Sequence, residues 1–122
     1  MRTIFFCLGI LLPWTTCAQV VISEVMWAGT EVSSADEWLR IVNTSDEEVS
    51  LDGWSITKKG SDGSQVPMIL FEEDAELSPG QVFLISNYPN SKSALKEEPD
   101  LVSSSVSLTN TKLLLQVLDE EG

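Results

Sequence analysis

From Val20 onward, nearly every apolar stretch is short, rich in β-branched residues and bounded by residues that favour turns. No segment repeats apolar residues at helical spacing over three turns, so the chain has no amphipathic helix from which to build a helical core. The strands predicted along the chain are Val20 to Met26, Glu37 to Val42, Val49 to Leu51, Trp54 to Lys58, Val66 to Phe71, Gln81 to Ser86 and Leu113 to Leu118. Ala28-Gly29, Asn43 to Asp46, Asp52-Gly53, Gly60 to Ser64, Ser78-Pro79-Gly80 and Thr109 to Thr111 supply turns between them. Pro67 makes its strand an edge, or marks where that strand begins. Glu72 to Leu77 reads as an acidic connector. Asn87 to Ser104 is the least patterned region; one helical turn is expected within Lys92 to Glu98, and a short strand follows at Ser105 to Leu108. Many short strands at fairly regular spacing predict an all-β sandwich or barrel.

The 122 residues are enough for one domain with one core. Nineteen acidic residues stand against 7 basic ones, with no histidine, for a net charge of −12. Such a field repels nucleic-acid phosphates and anionic lipid headgroups, so no nucleic-acid partner is expected. The hydrophobic share of 43% is too high for a disordered acidic tail. The acidic runs Asp46-Glu47-Glu48 and Glu72-Glu73-Asp74-Glu76 read as solvated charge. Calcium needs six to eight oxygens, and neither run carries a glycine-shaped ligand loop.

Residues 1–18 are expected to be a secretory signal peptide, with the domain itself spanning 19–122. Met1-Arg2 is a short positive start, Ile4 to Leu12 is apolar, Pro13 breaks the run, and Thr16-Cys17-Ala18 offers small residues for a cut before Gln19. A retained anchor and an acylated Cys17 are the competing readings. The apolar run is shorter than the ~20 residues a spanning helix needs, and Trp14-Thr15-Thr16 is a poor lipoprotein signal. Cleavage removes both cysteines, leaving no thiol, disulfide or cysteine metal site in a secreted or cell-envelope product. No membrane contact is then expected.

Three pieces, in order, resemble the lamin tail domain, an immunoglobulin-like β-sandwich. Val21-Ile22-Ser23-Glu24-Val25 is similar to that family's opening "I-x-E-V" strand. Asp36 to Asn43 resembles "D-E-W-I-E-L-Y-N", and Val49 to Ile56 resembles "V-D-L-S-G-W-x-L". Leu77-Ser78-Pro79-Gly80-Gln81 and Ser107-Leu108-Thr109-Asn110 add weaker likeness. Arg40 stands where the family often has glutamate, and Val42 where it often has an aromatic. Family members continue past an "L-x-D-x-x-G" turn into a closing strand, so the resemblance predicts that this chain is a fragment of a longer protein. The fold expected is therefore an all-β, immunoglobulin-like sandwich. Trp38 and Trp54 are the expected fillers of the gap between facing sheets, with Val25, Ile41, Leu51, Ile56 and Leu84 completing the core. Trp27 either plugs the mouth of the sandwich or is a partly exposed contact.

Without histidine or a mature cysteine, Ser-His-Asp, Cys-His and histidine-zinc sites are impossible. Asp62-Gly63-Ser64 reads as a turn, not an aspartic-protease motif, since no second copy exists. Glu24 and Glu37, the only acids within strong strands, read as sheet-face or sandwich-end groups. No catalytic residue and no cofactor is expected. The resemblance implies an exported interaction or tethering module with a protein or cell-surface partner. The alternative is the amino-terminal accessory domain of an exported nuclease- or phosphatase-type hydrolase whose catalytic part lies beyond Gly122.

Overall fold

A computed structural model describes residues 19–72, 75–109 and 112–122. The expected signal peptide, Glu73 and Asp74 of the acidic connector, and Asn110-Thr111 of the last turn lie outside the described residues. Nine strands are present among those described: β1 (Val20–Met26), β2 (Trp38–Asn43), β3 (Val49–Ser50), β4 (Ser55–Lys59), β5 (Gln65–Leu70), β6 (Glu76–Leu77), β7 (Val82–Ser86), β8 (Leu101–Val102) and β9 (Leu115–Leu118). They form a four-stranded sheet in the order β1-β2-β7-β8, a three-stranded sheet β5-β4-β9, and a two-stranded pair β3-β6. The architecture is an immunoglobulin-like β-sandwich.

The main core draws on both large sheets. Leu39, Ile41 and Ile85 come from one, Ile56, Met68 and Ile69 from the other, and Val49, Leu51 and Leu77 close the end that carries the short pair. Ile41, Leu51 and Ile56 are fully buried. Phe71 and Phe83 meet edge to face within the same interior, ring centroids 5.8 Å apart, a preferred aromatic geometry.

Two β-bulges explain why the alternation in sequence is irregular. Ile22 pairs with Ile41 and Glu24 with Arg40, which leaves Ser23 as an extra residue in β1. The bulge turns both Ile22 and Val25 toward the core, although three positions separate them. Val25 is only half-buried there, because β1 is an edge strand. In β5, Ile69 pairs with Ile56 and Pro67 with Thr57, so Met68 is the extra residue, and the adjacent Met68 and Ile69 are both buried. Pro67 lies on an edge strand beside that bulge, where its missing N–H costs no ladder bond.

The expected placement of the tryptophans needs correction. Trp38 is 7% exposed, but it does not lie between the sheets. It pairs with Met26 and Ser86, so it shares the outer face of the four-stranded sheet with Arg40 and Leu84, while Leu39 and Ile41 face inward. There Trp38, Leu84 and Leu95 form a second, smaller core with Met26 against it. Leu84 belongs to that cluster rather than to the main one. Trp54 precedes β4, is half-buried, and packs against the main core without being sealed in it.

What covers the outer face is the segment joining β7 to β8. These strands are parallel, with Ile85 opposite Leu101, and parallel neighbours cannot be joined by a tight turn. The connection crosses the sheet and carries Leu95 onto Trp38. Its helical turn is a 3-10 turn at Asn90–Lys92, earlier than the sequence suggested. Asp100 anchors its return: the Asp100 amide donates to the Leu84 carbonyl, and the Leu84 amide donates to the Asp100 carboxylate at 2.8 Å. The strand expected at Ser105 to Leu108 is absent, yet Val106 and Leu108 are buried in irregular backbone. Glu76–Leu77, expected as connector, is β6.

Truncating Trp38 to Ala should cost about 3–5 kcal/mol, and Trp38→Phe clearly less, because Phe keeps most of the packed ring. Urea unfolding checks this; equal losses for the two variants would mean that the cover over Trp38 is not a packed core.

Candidate functional site

The polar residues of the Asp36–Asn43 motif are pins, each committed to its own partners. Asn43 is fully buried and completely satisfied. Its side-chain amide donates to the carbonyls of Glu47 and Leu77, and its oxygen accepts from the amide and hydroxyl of Ser45. It thereby fastens the end of β2 to β6. Glu37, 6% exposed, accepts from the Leu108 amide at 2.6 Å. Asp36, fully buried, accepts hydrogen bonds from Thr30 Oγ1, Ser93 Oγ and the Ala94 amide. Burial works to raise the Asp36 pKa, but the bonds from Ser93, Thr30 and Ala94 outweigh it and hold the carboxyl below its ordinary value.

Gly29 lets the loop after Trp27 return to meet Asp36. Its φ is +71°, and a Cβ there would lie 2.6 Å from Ser34 backbone atoms. Only glycine fits this position.

On the outer sheet face, Glu24 Oε1 accepts from the Trp38 indole at 2.8 Å and from Arg40 Nε at 3.1 Å. Arg40 also holds Glu97 of the crossover at 2.5 Å. The Trp38 indole first, then Arg40, keeps the Glu24 carboxyl below its usual range. Arg40 is thus a strap between sheet and crossover. Glu24 and Glu37 serve different partners and form no acid/base pair with one another. Among the described residues no group of three potential metal-ligating side chains is brought together. Asp62-Gly63-Ser64 is a turn in which Asp62 Oδ1 accepts from the Ser64 amide and hydroxyl.

The end of the sandwich opposite Asn43 sets an exposed indole beside two hollows. Trp27 is 44% exposed there, so it does not plug the mouth. It lines a hollow of about 220 Å³ with Thr109, Lys112 and Leu113. A wider hollow of about 550 Å³ adjoins it, bounded by Lys59, the Gly60–Gly63 turn, Thr109 and Lys112. Among the described residues neither Lys59 nor Lys112 has an ion pair or a side-chain hydrogen bond, whereas the neighbouring Lys58 donates to the Ser107 carbonyl. Lys112 also has φ +51°, the only positive value among described non-glycine residues. Strain of that kind costs roughly 1–2 kcal/mol and gathers at sites of function. The sequence singled out Trp27 as a partly exposed contact. Lys112, distant in sequence, is the residue it missed.

Sheet order, core and buried pins define an immunoglobulin-like domain whose buried polar chemistry is structural. The sequence matches the Lamin Tail Domain family over residues 14–119, and the chain belongs to that family. The match begins at Trp14, ahead of the expected cleavage point. Domains of this family are non-catalytic and act generally in interactions. No curated protein matches the chain.

Acid should expose the role of the pins. Asp36 and Glu24 have folded pKa values below their unfolded values of 3.8 and 4.5. Their contribution to stability is complete above those values and is lost as pH falls through them toward the folded values. Urea midpoints should therefore drop below about pH 4.5. Asp36→Asn, less stable at neutral pH by about 1–3 kcal/mol, should lose less on acidification. Parallel pH profiles for the two proteins would contradict this account of Asp36.

Proposed function

We propose that this chain is an exported, non-catalytic interaction module that tethers or positions a protein or cell-surface partner through the sandwich end carrying Trp27. The observation that carries this reading is the pairing of a displayed indole with two lysines that have no acidic partner, in a chain of net charge −12. Arg40, by contrast, is held by two glutamates and Lys58 by a carbonyl. Tryptophan is enriched at binding hot spots because its large amphipathic ring gains much on desolvation. Export is supported by the positive start, apolar run and small-residue site at residues 1–18. Destination is therefore the cell envelope or the medium.

Two measurements check these parts separately. Mass analysis of the chain from fractionated producing cells should find it outside the cytoplasm, beginning at Gln19. An intracellular chain retaining Met1 would refute export. A photoreactive phenylalanine analogue in place of Trp27 should cross-link a discrete partner in envelope extracts, whereas the same group at Asp46, on the opposite end, should not. Equal labelling from both positions would remove this end of the sandwich from the proposal.

A further inference from the structure

The two hollows beside Trp27 differ in chemistry, and the difference restricts what can fill them. The smaller one has the Trp27 indole and Leu113 as walls and Lys112 at its rim. Its one hydroxyl, on Thr109, belongs to a residue already engaged in an interaction. A sugar ring placed there would bring hydroxyls all around its edge and leave most of them without partners, each at the cost of desolvation. A phosphate is equally ill served by the wider hollow. Its glycine-containing turn uses its own amides: Gly60 N–H donates to Ser64, Gly63 N–H to Gly60, and Ser64 N–H to Asp62. Three of the turn's amides are thus spent within it. The cationic donors at the two hollows are the ammonium groups of Lys59 and Lys112.

We infer that this end of the sandwich binds an acidic peptide segment, with an aliphatic side chain seated against Trp27 and Leu113 and following carboxylates reaching Lys112 and Lys59. The inference rests on the interaction-module reading and names its ligand. The smaller hollow, at about 220 Å³, has room for one branched aliphatic side chain. Asp62 lies on the same wider hollow and opposes the lysines. Its carboxylate is occupied by Ser64. The acidic surface elsewhere repels such a ligand only weakly at physiological salt, where charges more than ~8–10 Å away are screened. Selection therefore acts locally, through two charges and one apolar contact. Lys112 lines both hollows from backbone of positive φ.

The test is a titration of the full chain with an acetylated, amidated Gly-Leu-Glu-Glu-Gly peptide, followed through the tryptophan indole N–H signals by NMR. The Trp27 signal should shift and saturate while that of Trp38 stays in place. A Gly-Leu-Gln-Gln-Gly peptide should bind about tenfold more weakly, and Lys59→Gln or Lys112→Asn should each weaken the acidic peptide about threefold, the scale of single exposed charge pairs. Asparagine tolerates positive φ, so Lys112→Asn should keep the thermal midpoint. A loss of binding in that variant would then not reflect unfolding. Equal affinity for the glutamate and glutamine peptides, or a Trp27 signal that never moves, would overturn the inference. So would an oligogalacturonate that shifts Trp27 at lower concentration than the acidic peptide does. If cross-linking from position 27 still captures a discrete partner in that case, the ligand class is wrong and the interaction surface stands.

Discussion

Parallel pairing of β7 with β8 is the constraint from which most of the remaining structure follows. It rules out a tight turn, so the chain leaves β7 and comes back through a long connection, which becomes a lid over a face that would otherwise be wet. Asp36, fully buried and bonded to Thr30, Ser93 and Ala94, ties that lid to the loop after β1. A buried carboxylate without a cation is costly, and three donors in place are what offset it. Asp100 performs the matching task at the far end of the traverse. Arg40 spans the middle.

This arrangement separates the molecule into a finished part and an unfinished part. Among the described residues, the buried polar side chains of the interior, of the lid over Trp38 and of the Asn43 end all have hydrogen-bond partners. The Trp27 end differs: it combines exposed indole surface, two lysines without acids and one residue held in left-handed backbone. Natural sequences resolve local conflicts wherever nothing is gained by leaving them. Unresolved ones mark where a ligand is expected to complete the structure.

Strand positions were largely legible from local pattern, because short β-branched runs punctuated by turn residues leave few alternatives. Which face each residue took was not. In Trp38-Leu39-Arg40-Ile41 both faces of the strand are covered, so apolar side chains occupy both parities and size is no guide. Arg40 held the missing signal: it shares the parity of Trp38, which marks that face as the outer one. The bulge at Ser23 hid behind the same problem, since Ile22 and Val25 reach one face only after an extra residue is inserted. The crossover was illegible because its role is set by strand direction, which depends on residues far away in sequence. Lys59 and Lys112 likewise meet only in three dimensions, and no local spacing could have paired them.

The claim beneath the whole account is that one indole is roofed over and another is displayed. Solvent exchange of the individual indole N–H protons, resolved by NMR, tests it most directly. The Trp38 proton, bonded to Glu24, should exchange far more slowly than that of Trp27. Comparable rates for the two, or a protected Trp27, would contradict both the lid and the open end.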